Sequence, residues 1–264
     1  MDDRNNDYVF VTFKRLVEKK GFHIRKIDEE DLIHLLKDDY DMKVSLYNLR
    51  REYEQIKEDF CIESFVEAVA HTNDDLPEWD ESSKRIYPSL FPSDFNFEDH
   101  INFPVTETFN MIIVYDSGVG KAWVNEEQLT TWKIDNQALL KAAYANLDKV
   151  LDEAILEVDM IENKKLCFFS LEDETMKSVL ILSKKLKNKV SAELGWPIIA
   201  VIPVRDFCYL FSERDLDFFT GRIGDTVMNE FENSGYPITI EILKCSDEGI
   251  KAVGKYEKNG EEAE

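Results

Sequence analysis

An α+β fold, with a mostly antiparallel sheet and helices packed on one face, is predicted by three observations. In the second half of the chain a helical pattern is followed by two strand patterns, three times over, with helix starts roughly 40 residues apart. The strands of each unit are joined by short links, and these force antiparallel pairing because a parallel return needs a longer crossover. Strands do not alternate singly with helices, as a doubly wound sheet requires. The units share pattern without residue identity, so the expectation is a body built from helix-strand-strand units.

The elements follow in order. Residues 8–20 (YVFVTFKRLVEKK) read as a helix ending near Gly21, with Lys19 and Lys20 in its last turn. FHIRKID alternates as a strand, and MKVSLYNL offers another after the Asp38-Asp39 turn. Between Leu49 and His71 the apolar residues Tyr53, Ile56, Phe60, Phe65 and Val69 fall at helical spacing. The polar run from Thr72 to Ser83 has no period and reads as a loop. Ile86 to Pro104 holds three of the seven prolines and reads as an extended tie.

The second half is more regular. TFNMIIVYD and GKAWVN flank Ser117-Gly118-Val119 as a hairpin. Asn125 caps a short helix through the backbone N–H of Gln128, and a longer helix runs from Asn136 to Ala154. Strands ILEVDMI and KLCFFSL come next, then a helix from Thr175 to Gly195. IIAVI, DFCYLFS, a helix over 215–233, YPITIEILK and GIKAVGKYE complete the order. The domain reading is an N-terminal α+β subdomain over 1–75, a linker over 76–104, a C-terminal α+β domain over 105–257 and a disordered tail over 258–264.

Charge and cysteine usage narrow the function classes. Asp and Glu number 54 against 32 Lys and Arg, a net charge of -22. Such a field repels nucleic-acid phosphates and anionic membrane surfaces, and it favours a protein partner with a basic surface. Cys61, Cys167, Cys208 and Cys245 show no C-x-x-C spacing and lie among apolar residues, as buried free thiols of a reducing compartment do. The acidic start MDDRNNDY lacks an apolar signal region, and no run reaches a spanning length. The expectation is a soluble cytoplasmic protein, with the balance between binding module and enzyme left to the motifs.

The segments KVSLYNLRREY, RIYPSLFP, MIIVYDSGVGKAWVNEEQLTTWKI, LLKAAYANL, LEDETMKSVLIL and GWPIIAVIPVRDFCYLF follow one another in that order along the chain. Together they resemble the YtpQ-like family of uncharacterised bacterial proteins. The resemblance implies a bacterial cytoplasmic α+β protein and supplies no catalytic residue. The family loop before GKAWV tends to carry proline, where this chain has Ser-Gly-Val-Gly.

No complete catalytic or ligand motif is present. Ser117-Gly118-Val119-Gly120-Lys121 lacks the glycine and hydroxyl of a phosphate loop, since Tyr115 and Ala122 occupy those positions. His23, His34, His71 and His100 show no zinc spacing, and Asp28-Glu29-Glu30-Asp31 with Asp38-Asp39 lacks the order of a calcium loop. No metal or cofactor is expected. Ser117 and Ser178 lack a nucleophile elbow, and Cys208 lies between Phe207 and Tyr209, where an apolar setting blunts a thiol. Trp123, Trp132, Phe168 and Phe169 read as core.

The strongest local feature is Arg205-Asp206, after Pro203 at the bend between two apolar strands. An arginine on a rigid strand end can grip a carboxylate or phosphate while the aspartate orients it. The plainer role is to close a turn. Tyr115-Asp116 ends another apolar strand, and convergence of the four residues would make a ligand site. Three function classes result. The first is a non-enzymatic protein-binding module with an acidic surface. The second is a small-ligand binder or hydrolase-type enzyme using a pocket around Arg205 and Asp206. A sharper variant of the first class is an acidic mimic of nucleic acid acting as an inhibitor in a bacterial conflict system, and the third class is a structural subunit of a larger assembly, marked by a large exposed apolar patch.

Overall fold

The computed structural model describes residues 7–27, 32–38, 40–71, 76–97, 100–118, 121–234 and 236–257. The acidic group 28–31, Asp39, part of the 117–121 turn and the 258–264 tail lie outside the described residues. The chain forms two compact units, one of residues 1–76 with 116–122 and the other of 77–115 with 123–264.

In the first unit, helix α1 (Tyr8–Lys19) starts where the Asp7 carboxylate accepts from Phe10 N at 3.1 Å, and the chain turns at Gly21 with φ 89°. Strands β1 (His23–Ile27), β2 (Leu32–Lys37) and β3 (Tyr40–Ser45) form an antiparallel sheet in chain order. The middle strand, LIHLLK, carries no strand alternation in its sequence and is the element the pattern misses. The helical stretch up to His71 is two helices, α2 (Tyr47–Ile56) and α3 (Phe60–His71), because Lys57 adopts a left-handed φ of 57° between them. Phe13, Val17, Ile33, Leu35, Leu49 and Ile62 close the core of this unit.

The second unit opens with a short helix, α4 (Trp79–Ser82), inside the stretch expected to be a loop, and it holds two antiparallel sheets. The expected linker is structural: β4 (Ile86–Pro92) pairs along its whole length with β6 (Phe109–Asp116), and β5 (Asn102–Pro104) pairs with the other side of β6. Its proline-rich composition is tolerated because both strands pair on one side only, leaving the other free of ladder hydrogen bonds. Strand β7 (Lys121–Trp123) also pairs with β6. Helix α5 (Glu126–Trp132) begins in a full capping box between Asn125 and Gln128. Helix α6 (Asn136–Glu153) packs on β4, where Asn146 Nδ2 donates to Ile86 O at 3.0 Å.

The three helix-strand-strand units build the larger sheet. They are α6 with β8 (Ile155–Ile161) and β9 (Lys164–Ser170), α7 (Leu186–Leu194) with β10 (Ile198–Val201) and β11 (Tyr209–Ser212), and α8 (Leu216–Asn233) with β12 (Glu241–Ser246) and β13 (Gly249–Lys255). The spatial order is β13-β12-β10-β11-β9-β8, every pairing antiparallel. The helix expected from Thr175 begins instead as two 3-10 turns and becomes α7 only after the extended Ser183.

The expected single helical layer is corrected here. Helix α8 covers the face of Leu166, Ile199, Val201, Phe211 and Ile242. Helix α7 lies on the other face, where its Glu193 pairs with Lys165 at 2.8 Å. The reason is the sequence of β10, Ile198-Ile199-Ala200-Val201, which is buried at every position. A strand apolar on both faces needs cover on both.

Candidate functional site: an arginine between two aromatic rings

The bend between β10 and β11 is pinned at three backbone points. Ile238 N donates to Pro203 O at 2.7 Å, Ser178 N donates to Arg205 O at 3.0 Å, and Val204 bridges Pro237. That last bridge brings Tyr236, the residue before Pro237, beside Arg205. On the other side stands Phe91, projecting from β4 on the face shared with Tyr87, Ile112 and Val114.

The Arg205 guanidinium therefore sits between two rings, 4.2 Å from the Phe91 centroid and 4.6 Å from that of Tyr236. Each such contact contributes about 0.5–2 kcal/mol, more as water is excluded. Arg205 forms no side-chain hydrogen bond or ion pair with any described residue, and its Nε is buried without a partner. Burial pushes the guanidinium down to about 10, so it remains charged at neutral pH. A cation stacked between two rings and unpaired among the described residues thus stands in a chain of net charge -22.

The surroundings are aromatic. Phe91 meets Trp123 edge-on at 4.6 Å and Phe95 at 5.3 Å, with Phe97 and His100 packed on the Trp123 ring. His100 is held by Nδ1 against Phe97 O at 3.0 Å. Phe95 is 46% exposed and Tyr236 41%, so the cluster reaches the surface at these two rings, beside the half-buried arginine. Aromatic side chains next to arginine are the composition that dominates protein-binding hot spots.

The four residues proposed from sequence do not converge. Asp206 is exposed and bonds to no described side chain. Tyr115 pairs in register with Ile86, at the opposite end of β4 from Phe91 and on the opposite face. There it is buried, with Arg85 stacked 5.8 Å from its ring. Asp116 accepts from Gly118 N at 2.7 Å and closes its own turn. The residues that do surround Arg205 were legible only as a density of aromatics in Phe91, Phe95 and Phe97, with the Tyr236-Pro237 step far along the chain.

A groove of about 630 Å³ opens elsewhere in this unit, over Met111, Leu140, Ile181, Leu186 and Cys245, with Trp196 at its rim. It is lined by none of the four proposed residues. Among the described residues no group of three or more His, Cys, Asp or Glu side chains is placed to hold a metal ion, and no helix is long and apolar enough to cross a membrane. All four cysteines are free and buried. Desolvation pushes the Cys167 thiol up to about 11 and Cys245 to about 12, and raises Cys208 further. No family model matches the chain, and no curated protein or solved structure matches it.

Proposed function

We propose that this chain is a non-enzymatic protein-binding module and that the arginine-centred aromatic surface is where its partner docks. The observation that carries this reading is Arg205, stacked between Phe91 and Tyr236 and in no ion pair with any described residue. A guanidinium already ordered by two rings loses little freedom on binding, and it presents a planar donor edge to a carboxylate of the partner. Phe95 and Tyr236 supply the apolar area around that contact. The acidic remainder of the surface tunes which partners approach, through long-range attraction and repulsion. Kinship with the YtpQ-like family is part of the same proposal, supported by the order of the quoted segments, and it adds no site residue.

The test is affinity capture from cells that express the chain, using wild type, Arg205→Met, Phe95→Ala and Tyr236→Ala. The expected result is a defined protein retained by wild type and reduced at least tenfold by each variant. An identical set of proteins retained by all four forms would sink the proposal.

A further inference from the structure

The larger sheet ends in two outer strands of unlike character. Strand β13 has a register shift opposite Ile242/Leu243 and carries Lys251 and Lys255. A bulge and lysines are the usual guards of a sheet edge. Strand β8 has neither. It pairs with β9 through seven unbroken positions, from Ile155↔Ser170 to Ile161↔Lys164, and no described strand lies on its outer side.

The turn fixes which backbone groups of β8 are free. Glu162 and Asn163 connect the strands with φ of 47° and 68°, the two positive values of a type I′ turn. In such a hairpin the flanking pair, Ile161 and Lys164, is hydrogen-bonded, and bonded and non-bonded pairs then alternate. Asp159, Glu157 and Ile155 turn their backbone groups inward to β9. Leu156, Val158 and Met160 turn theirs outward. Around this row Ile155 is 61% and Met160 60% exposed. Glu157 and Asp159 share one face and pair with no described cation.

We infer that the outer edge of β8 accepts an extended lysine- or arginine-bearing segment of another protein as an added strand. Backbone bonds would come from Leu156, Val158 and Met160, and Glu157 and Asp159 would meet basic side chains at alternate positions. A second copy of this chain is a poor occupant. Antiparallel self-pairing centred on Val158 sets Glu157 directly opposite Asp159 of the copy, and like charges facing each other across strands repel. This surface is distinct from the arginine-centred one, so Arg205→Met should leave it unaffected.

The probe is an acetylated and amidated nine-residue peptide alternating valine and lysine, followed by fluorescence anisotropy on the full chain. Binding is expected, weakening as salt rises, whereas the valine-glutamate peptide should not bind. Val158→Pro keeps every charge, removes an outward N–H and leaves the inward bonds to β9 in place, so it should lower affinity at least tenfold while the circular dichroism spectrum stays that of the folded chain. N-methylating the peptide backbone, which also keeps its charge, should cause the same loss and decides the matter if Val158→Pro fails to fold. Equal binding by folded Val158→Pro, or by the methylated peptide, would overturn strand addition in favour of plain charge attraction. So would dimers of the wild type that Val158→Pro abolishes, since they would make a second copy the occupant.

Discussion

Two strand ends that look alike in the sequence have become different devices. After β10 the chain bends at Pro203 and offers Arg205-Asp206, and β6 ends in Tyr115-Asp116. At the first bend the backbone is tied from outside, by Ile238 and Ser178, so the arginine can be spent on a surface of aromatic rings. At the second end the aspartate ties its own turn, and the tyrosine disappears into the core. The aspartate becomes a turn lock where a local backbone N–H is turned toward it, as Gly118 N is to Asp116, and stays idle where distant N–H groups already hold the turn through its carbonyls.

The largest effect that sharpens this contrast belongs to the buried end. Tyr115→Ala should lower stability by about 3–4 kcal/mol, read as a shift in urea midpoint, while the folded fraction still binds its partner normally. A loss of partner binding by the folded variant would join the two ends functionally after all.

Next comes an alkaline effect on the arginine side, where Cys208 is buried two residues after Asp206. Burial raises Cys208 and Cys245 above the ordinary thiol value, so the unfolded chain gives up these protons first. Their contribution is complete below about pH 9 and declines as pH climbs toward the folded values. Between pH 8 and pH 10 the urea midpoint should fall by on the order of 2 kcal/mol of stability. A flat profile would mean that these thiols reach solvent.

Arg205→Met tests the exposed end directly. Partner affinity should drop at least tenfold, or about 1.4 kcal/mol, while stability changes by less than about 1 kcal/mol because the two lost ring contacts are offset by no longer burying an Nε without a partner. A large stability loss with intact binding would turn Arg205 into a packing element. Asp116→Ala removes the acceptor for Gly118 N and should cost about 1 kcal/mol in thermal unfolding. Asp206→Ala, at an exposed position with no partner among described residues, should stay within about 0.5 kcal/mol in the same measurement. Equal costs at both aspartates would erase the distinction drawn here.

Much of the architecture was legible because it is local. The capping box at Asn125 and Gln128 and the positive-φ stop at Gly195 mark helix ends through side chains a few residues away. The hairpins of β8–β9 and β12–β13 are joined by links too short for any other pairing. Where the signal was ambiguous, tertiary context decided. LIHLLK has the apolar density of a helix or a strand, and it became the middle of a sheet buried between β1 and β3. Lys57 carries no sequence mark of a helix break, yet α2 and α3 part there because both must pack on one small core.

The candidate site was legible to one residue. Arg205 stood out because a charged pair interrupts two apolar strands. Its neighbours Phe91 and Tyr236 lie 114 residues before it and 31 after it, and nothing near Arg205 in the chain announces them. Strand pairs, helix caps and an overwhelmingly negative charge follow from the residues alone, since each depends on residue type and short spacing. Only the folded structure decided which rings would close on the arginine, that Tyr115 would be buried, and which sheet edge would be left open. Those outcomes depend on how separately specified elements stack to hide apolar faces, a condition satisfied by the whole molecule and by no single segment.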